Sequence, residues 1–472
     1  MALTPIHRRR INYFFPGRYS VGCGTVQNVL KILVTVFNTG MHFISGLIHS
    51  LVNYDFRHPF RFVAILAICS IVGLLVNNHM SKNNIDISTW FLDEPLSNIG
   101  SLPDTSNWPM FRQNPRNTAF VPNKFKSPVG ILKWTYFAQS LSGSSPTVVD
   151  GRLYMGTAAN RIIALDAETG TLIWEHEVSG PVDSTVAVVE GLLYVGLLDG
   201  DLLALDIKNG HLKWSFQTDG FISGSPAVDN GIVFIGSGDS KVYALDAVDG
   251  TKRWEFQAGR PISSSLSVNK ESVAVTSHER FTYILDKRTG RVLMDFRIAP
   301  NSRSAVFSES QLILSEGLGV LTAIDWSAGD PVFERLRWWL KIQLFAWGVI
   351  DPPIIEQGWL WSYRPPGEDL AGPPAIAWGN VYTATPSSLI ALGISTGEVI
   401  WEFNGKADFN KSPFVMGEEI FVTDTDGRLY AVDAHTGQNR WDFVFGDSAV
   451  SEPIGVKGVI YVASTDGNLY SI

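Results

Sequence analysis

The sequence predicts an all-β chain: an eight-bladed β-propeller of four-stranded antiparallel blades, preceded by an amphipathic helix and a transmembrane helix. Three observations predict it. A short phrase recurs about every 40 residues, short β-rich runs alternate with turn signals inside each copy, and the first 82 residues are apolar, basic and free of the repeat.

The phrase is roughly alanine-leucine-aspartate, three variable residues, glycine, three more, then tryptophan. The copies are ALDAETGTLIW (164–174), ALDIKNGHLKW (204–214), ALDAVDGTKRW (244–254), ILDKRTGRVLM (284–294), AIDWSAGDPVF (323–333), ALGISTGEVIW (391–401) and AVDAHTGQNRW (431–441). Around the first copy, SSPTVV, GRLYMGT, NRIIALDA and LIWEHEV read as four short strands separated by tight turns. The phrase aspartate can accept backbone N–H bonds and the glycine can take the left-handed turn conformation. The tryptophan offers a flat face and one N–H donor, suited to docking on the neighbouring blade. The docking set is therefore Trp134, Asp166, Gly170, Trp174, Asp206, Gly210, Trp214, Asp246, Gly250, Trp254, Gly397, Trp401, Asp433, Gly437 and Trp441. Met294 and Phe333 stand where two further tryptophans are expected.

Trp134 lies 40 residues before Trp174, in phase with the repeat. A proline follows 12 residues after each of Trp134, Trp214, Trp401 and Trp441. After Trp441 only three strands remain (SEPIGV, GVIYVAS, GNLYSI), so the fourth strand of the last blade is the one around Trp134. Such closure joins the two ends of the ring and leaves no open sheet edge between them. The propeller spans 130–472, with a linker and lead-in over 79–129. Within the lead-in, NWPMFRQNPRNTAFVP (107–122) is expected to pack the incoming chain across one end of the ring.

The N-terminal part reads differently. Phe62 to Val76 is uncharged and apolar, and is expected to form a signal-anchor helix within 61–78. Residues 26–51 carry apolar and polar stripes at helical spacing, which suits a helix in the membrane interface; a second span is the alternative. Eight Lys or Arg against Asp55 give residues 1–82 about +7, so the net charge of −9 leaves about −16 for the rest. Basic residues before the span and few after it place the N-terminus in the cytoplasm and the propeller on the extracytoplasmic, periplasmic side. An acidic propeller is a poor partner for nucleic acid. Cys23 and Cys69 are the two cysteines, both outside the repeats.

These phrases resemble the pyrroloquinoline-quinone-type (PQQ-like) propeller repeat over about 108–472, with its tryptophan-docking motif. Eight blades on a membrane anchor look most like the propeller lipoprotein of the outer-membrane β-barrel assembly machinery. The resemblance implies a protein-binding scaffold in an envelope complex, with membrane and envelope proteins as partners; a ligand-sensing propeller is the alternative. Quinone-dependent dehydrogenases share the repeat, with a quinone, a calcium ion, an aspartate base and often an adjacent cysteine pair. No such pair occurs here, and a non-catalytic protein with no cofactor, no metal and no catalytic residue is expected. Asp199-Gly200-Asp201 and Asp424-Thr425-Asp426-Gly427 could suggest calcium, but they sit where hairpin turns are needed and lack the other ligands of a calcium loop.

One repeat is irregular. From Phe333 the equivalent proline is Pro374, 41 residues on, so 29 residues are inserted. The insertion, RLRWWLKIQLFAWGVIDPPIIEQGWLWSY (335–363), carries Trp338, Trp339, Trp347, Trp359 and Trp361 beside Arg335, Arg337 and Lys341. Tryptophan with basic residues suits partner docking or membrane contact, and a flap folded onto its own blades is the third option. All five tryptophans are candidate partner contacts.

Overall fold

The computed structural model describes residues 107–122, 128–141, 143–278, 280–299, 303–327 and 358–472. The stretches expected to be amphipathic (26–51) and membrane-spanning (61–78) lie outside the described residues. Among the described residues, no helix is long and apolar enough to cross a membrane.

Eight sheets form in chain order, each a meander of antiparallel strands. Blades 1 to 4 span 147–177, 187–217, 227–257 and 267–297; blades 5 to 7 span 306–363, 375–404 and 414–444. Blade 8 combines three C-terminal strands within 454–471 with Trp134–Phe137, which pairs antiparallel to Asn468–Ser471 through Trp134↔Ser471 and Phe137↔Asn468. The ring closes as the phase of Trp134 predicts. One sheet departs from four strands: Phe120–Val121 adds in parallel to the inner strand Phe414–Met416, giving blade 7 a fifth.

The inner strands of successive blades face one another around the axis and their side chains are almost all buried. In the outer strands exposure alternates, as along Leu212–Gln217. A β-bulge just past the phrase alanine recurs between third and outer strands, as at Ala164/Leu165 and Ala431/Val432. The alanine itself faces the tryptophan: Ala164↔Trp174, Ala204↔Trp214, Ala244↔Trp254, Ala323↔Trp361, Ala391↔Trp401 and Ala431↔Trp441. A small residue opposite leaves room for the indole to tip toward the next blade. In blade 4, where methionine replaces tryptophan, the partner is larger: Ile284↔Met294. The joint thus conserves volume by exchanging bulk across the strand pair.

The lead-in runs inside the ring. Backbone carbonyls of Trp108, Pro109, Pro115, Arg116, Thr118 and Ala119 accept from Val148, Val188, Val268, Phe307, Ile376 and Val415, one on the inner strand of each of six blades. Inner strands would otherwise present unpaired N–H groups to a narrow axis, and the lead-in supplies their acceptors. To turn sharply enough, Arg112, Gln113, Asn117 and Ala119 adopt positive φ.

Candidate interaction site

Three sets of side chains stand out: the blade joints, the axis, and the outer edge of blades 5 and 6.

At the joints each indole lies against the phrase glycine of the next blade. A Cβ on Gly170, Gly210, Gly250, Gly397 or Gly437 would stand 2.5–2.8 Å from the ring of Trp134, Trp174, Trp214, Trp361 or Trp401. Each indole N–H donates to the carbonyl three residues before that glycine: Trp134 to Ala167 (3.1 Å), Trp174 to Ile207 (2.9 Å), Trp214 to Ala247 (3.1 Å), Trp254 to Lys287 (3.0 Å), Trp361 to Ile394 (2.8 Å) and Trp401 to Ala434 (3.1 Å). Trp441 lies against Gly130, which completes the ring of joints. The phrase aspartates hold the turns: Asp166 Oδ1 accepts from Thr169 N at 2.9 Å, Asp206 Oδ1 from Lys208 N at 2.8 Å, and Asp246 Oδ1 from Val248 N at 3.0 Å. Asp433 Oδ1 accepts from Thr436 N at 2.8 Å, and its Oδ2 pairs with Arg440 at 2.5 Å. Burial works against the Asp433 charge, but Arg440 and the turn N–H groups prevail and bring its pKa down to about 2.

Trp361, expected among the partner contacts, is instead a blade-joint residue. It is 5% exposed, faces Gly397 and is the docking tryptophan of blade 5, so it is not available to a partner. The sequence misplaces it because the insertion interrupts the phrase itself. Asp325 N bonds Gly358 O as Asp166 N bonds Thr171 O, so 33 positions here replace five. The phrase therefore ends at Trp361 rather than Phe333. Phe333, Trp338, Trp339 and Trp347 lie outside the described residues.

At the axis Arg112 is 2% exposed. Its guanidinium donates to Asn117 O (3.1 Å) and to Pro374 O (2.6 Å), and lies 3.5 Å from Glu452. Asn117 Nδ2 donates to Leu266 O and Ala305 O at the same level of blades 4 and 5. Just before the inner strands, hydroxyls couple blades 40 positions apart: Ser145 N to Thr185 Oγ1, Thr185 N to Ser225 Oγ, and Ser225 N to Ser265 Oγ. Glu452 N to Ser145 Oγ carries this belt across the chain closure. Lys411 donates to Val450 O at 2.7 Å; burial pulls its pKa down while Glu452 opposes that shift. These residues do not fit a quinone with its calcium. The axis is filled by the chain's own lead-in, and among the described residues no three His, Cys, Asp or Glu side chains group as metal ligands. The two aspartate turns serve their hairpins: Asp424 Oδ1 accepts from Asp426 N and Arg428 N, and Asp199 Oδ1 from Asp201 N.

On the outer strands of blades 5 and 6, Trp359 (42% exposed), Leu360 (40%), Val399 (48%) and Ile400 (52%) are exposed apolar residues just before the docking tryptophans. Blade 1 carries a similar pair, Leu172 (45%) and Ile173 (40%), whereas in blades 3 and 7 the corresponding residues are Lys252, Arg253, Asn439 and Arg440. Trp359 and Leu360 lie where the chain returns from the insertion.

The family model described as outer membrane protein assembly factor BamB matches residues 125–221, 219–336 and 354–472. No curated protein matches the chain. Among solved structures, BamB from Moraxella catarrhalis is similar at a TM-score of 0.56 and 14% identity, covering 72% of this chain and 96% of that one. The quinohemoprotein alcohol dehydrogenase from Comamonas testosteroni is similar at 0.62 and 17%, covering 84% of each chain. The computationally designed Ika8 protein is similar at 0.58 and 14%, covering 71% and 97%. An assembly factor, an enzyme and a design share this architecture, so the structural likeness speaks to fold alone. The family matches together span well over half of the sequence, and the chain belongs to the PQQ-like propeller family described as outer membrane protein assembly factor BamB.

Proposed function

We propose that this chain is a non-catalytic docking propeller, held at a membrane by its N-terminal segment with the propeller on the extracytoplasmic side. In this reading it binds protein partners of an envelope assembly complex through the outer edge of blades 5 and 6. The observation that carries the proposal is the exposure of Trp359 and Leu360, where the chain returns from the insertion, and of Val399 and Ile400 on the next blade. Large exposed aliphatic and aromatic side chains on the outer strands of two successive blades suit a partner surface better than water. Family membership supports a scaffold role, and the charge asymmetry of residues 1–82 supports the topology.

The test is a full-length V399E/I400E variant, crosslinked and purified from native membranes beside wild type. Loss of partner bands with unchanged thermal stability supports docking; unchanged bands refute it. Quinone- and calcium-dependent oxidation of an alcohol by the purified chain would favour a dehydrogenase instead. Protease accessibility in spheroplasts tests the topology, and a propeller protected until lysis would contradict it.

A further inference from the structure

The residue before the docking position is a cation in blades 2, 3, 7 and 8 (Lys213, Arg253, Arg440 and Lys133) and apolar in blades 1, 4, 5 and 6 (Ile173, Leu293, Leu360 and Ile400). In blade 7 Arg440, just before Trp441, closes a notch between the first hairpin and the phrase turn. Its guanidinium pairs with Asp433 Oδ2 (2.5 Å), Glu419 Oε1 (3.0 Å) and Glu418 Oε2 (3.8 Å). Arg253 meets Asp246 at 3.3 Å in blade 3, and Lys213 meets Asp206 at 3.1 Å in blade 2. The strand register identifies the counterparts in blade 5. Leu312↔Ile324 corresponds to Ile420↔Val432, so Gln311 stands for Glu419 and Asp325 for Asp433. Leu360 stands for Arg440, because Trp361 stands for Trp441.

In blade 5 the notch is an open cavity of about 430 Å³ lined by Glu309, Gln311, Asp325, Trp326, Ser327 and Leu360. Gln311 Oε1, the counterpart of the oxygen that accepts from Arg440, is buried without a hydrogen-bond partner, and so is Trp326 Nε1. An unpartnered buried acceptor is costly, and a guanidinium satisfies several acceptors in one plane. We propose that this notch is a receptor for an arginine side chain of a protein partner, set among apolar residues that cover Leu360 and Trp359. The incoming guanidinium takes the position of Arg440, donating to Gln311 Oε1 and Asp325, with Glu309 adding negative charge at the rim. Charge and shape together select arginine over lysine, whose ammonium cannot span both acceptors. The inference deepens the docking function proposed above and rests on it.

The experiment titrates the full-length protein with acetyl-Leu-Arg-Leu-Leu-amide and with the same peptide carrying citrulline, reading indole fluorescence and heat. Millimolar or tighter binding of the arginine peptide is expected, at least about tenfold weaker for citrulline. Leu360→Arg should fill the notch from within, as Arg440 does, and abolish binding at unchanged thermal stability; Glu309→Gln should weaken it severalfold. Equal binding by the L360R variant overturns the proposal. So does binding that emerges only when 329–356 are deleted, since a cation of the insertion then occupies the notch. No binding in either form overturns it as well. The docking function fails on a different readout, the partner bands of the V399E/I400E variant.

Discussion

Trp361 lies against Gly397 so closely that a Cβ on the glycine would stand 2.5 Å from Cε3 of the indole, while the indole N–H reaches Ile394 O at 2.8 Å. The insertion of blade 5 therefore enters and leaves within a single turn and does not disturb the joint to blade 6. Asp325 and Gly358 close its base with one backbone bond. This arrangement explains how a long apolar insertion is tolerated: loop length at a hairpin costs little so long as the strands it joins keep their register.

Trp361→Ala should cost about 3–5 kcal/mol, the usual range for emptying a buried aromatic site. Trp361→Phe keeps most of the packing but leaves Ile394 O without its donor, so about 1–3 kcal/mol is expected. Trp359→Ala, on the exposed side of the same strand, should fall within about 0.5 kcal/mol. Urea unfolding of the three variants measures the order. A Trp359 variant as unstable as the Trp361 variant would contradict the assignment.

Arg112 organises the axis, and its removal should be felt across several blades. Arg112→Met leaves Pro374 O and Asn117 O without their donor and Glu452 without its nearest cation. A loss of about 3–5 kcal/mol is expected. Adding Glu452→Gln should restore part of it, because the residual carboxylate charge is gone. The recovery will be incomplete, since the carbonyls stay unpaired and Lys411 also interacts favourably with Glu452. Thermal unfolding of the two single variants and the double variant closes the cycle. Strict additivity would mean that Arg112 and Glu452 do not interact.

Much of this was legible from residues alone. The Gly-to-Trp spacing and the phase of Trp134 specify eight blades and their closure, because both are backbone-scale regularities. Two things were not legible. Sequence spacing could not place the insertion inside the phrase, since Phe333 satisfies the count while Trp361 satisfies the geometry. Nor could it show that the lead-in runs within the ring: its backbone carbonyls carry the role, and every residue has one. The notch of blade 5 was hidden for a related reason. Leu360 becomes informative only when strand register sets it against Arg440.

Acid should weaken blade 7 through Asp433. Its pKa in the fold is about 2, below the ordinary carboxylate value of 3.8. A depressed pKa means that the fold favours the charged form. The stabilisation is complete above the unfolded value and is lost as pH falls from about 4 toward 2. Solvent screening limits its worth to no more than about 1 kcal/mol. Asp433→Asn can keep the acceptor for Thr436 N but loses the ion pair to Arg440. Its stability relative to wild type should be lower at pH 6 and should converge with wild type near pH 2. A gap that stays constant over this range would show that Asp433 is not a source of acid sensitivity.

The joint between blades 4 and 5 offers a sharper test of how the ring is packed. Met294 is 3% exposed and shares a cluster with Ile284, Phe296 and Phe307, against which Trp326 also packs. Elsewhere the residue facing the docking indole across the strand pair is alanine, or serine in blade 8. Restoring the repeat with Met294→Trp alone therefore forces an indole beside Ile284 and should destabilise by about 1–3 kcal/mol through overpacking. Ile284→Ala alone opens a cavity and should cost about 2–5 kcal/mol. The double variant reproduces the pairing of the other joints and should recover most of both losses, a coupling well beyond the few tenths expected of independent sites. Denaturant midpoints of the three variants decide it. If the double variant is as unstable as the sum of the singles, the exchange of bulk between Ile284 and Met294 is not what fills this joint.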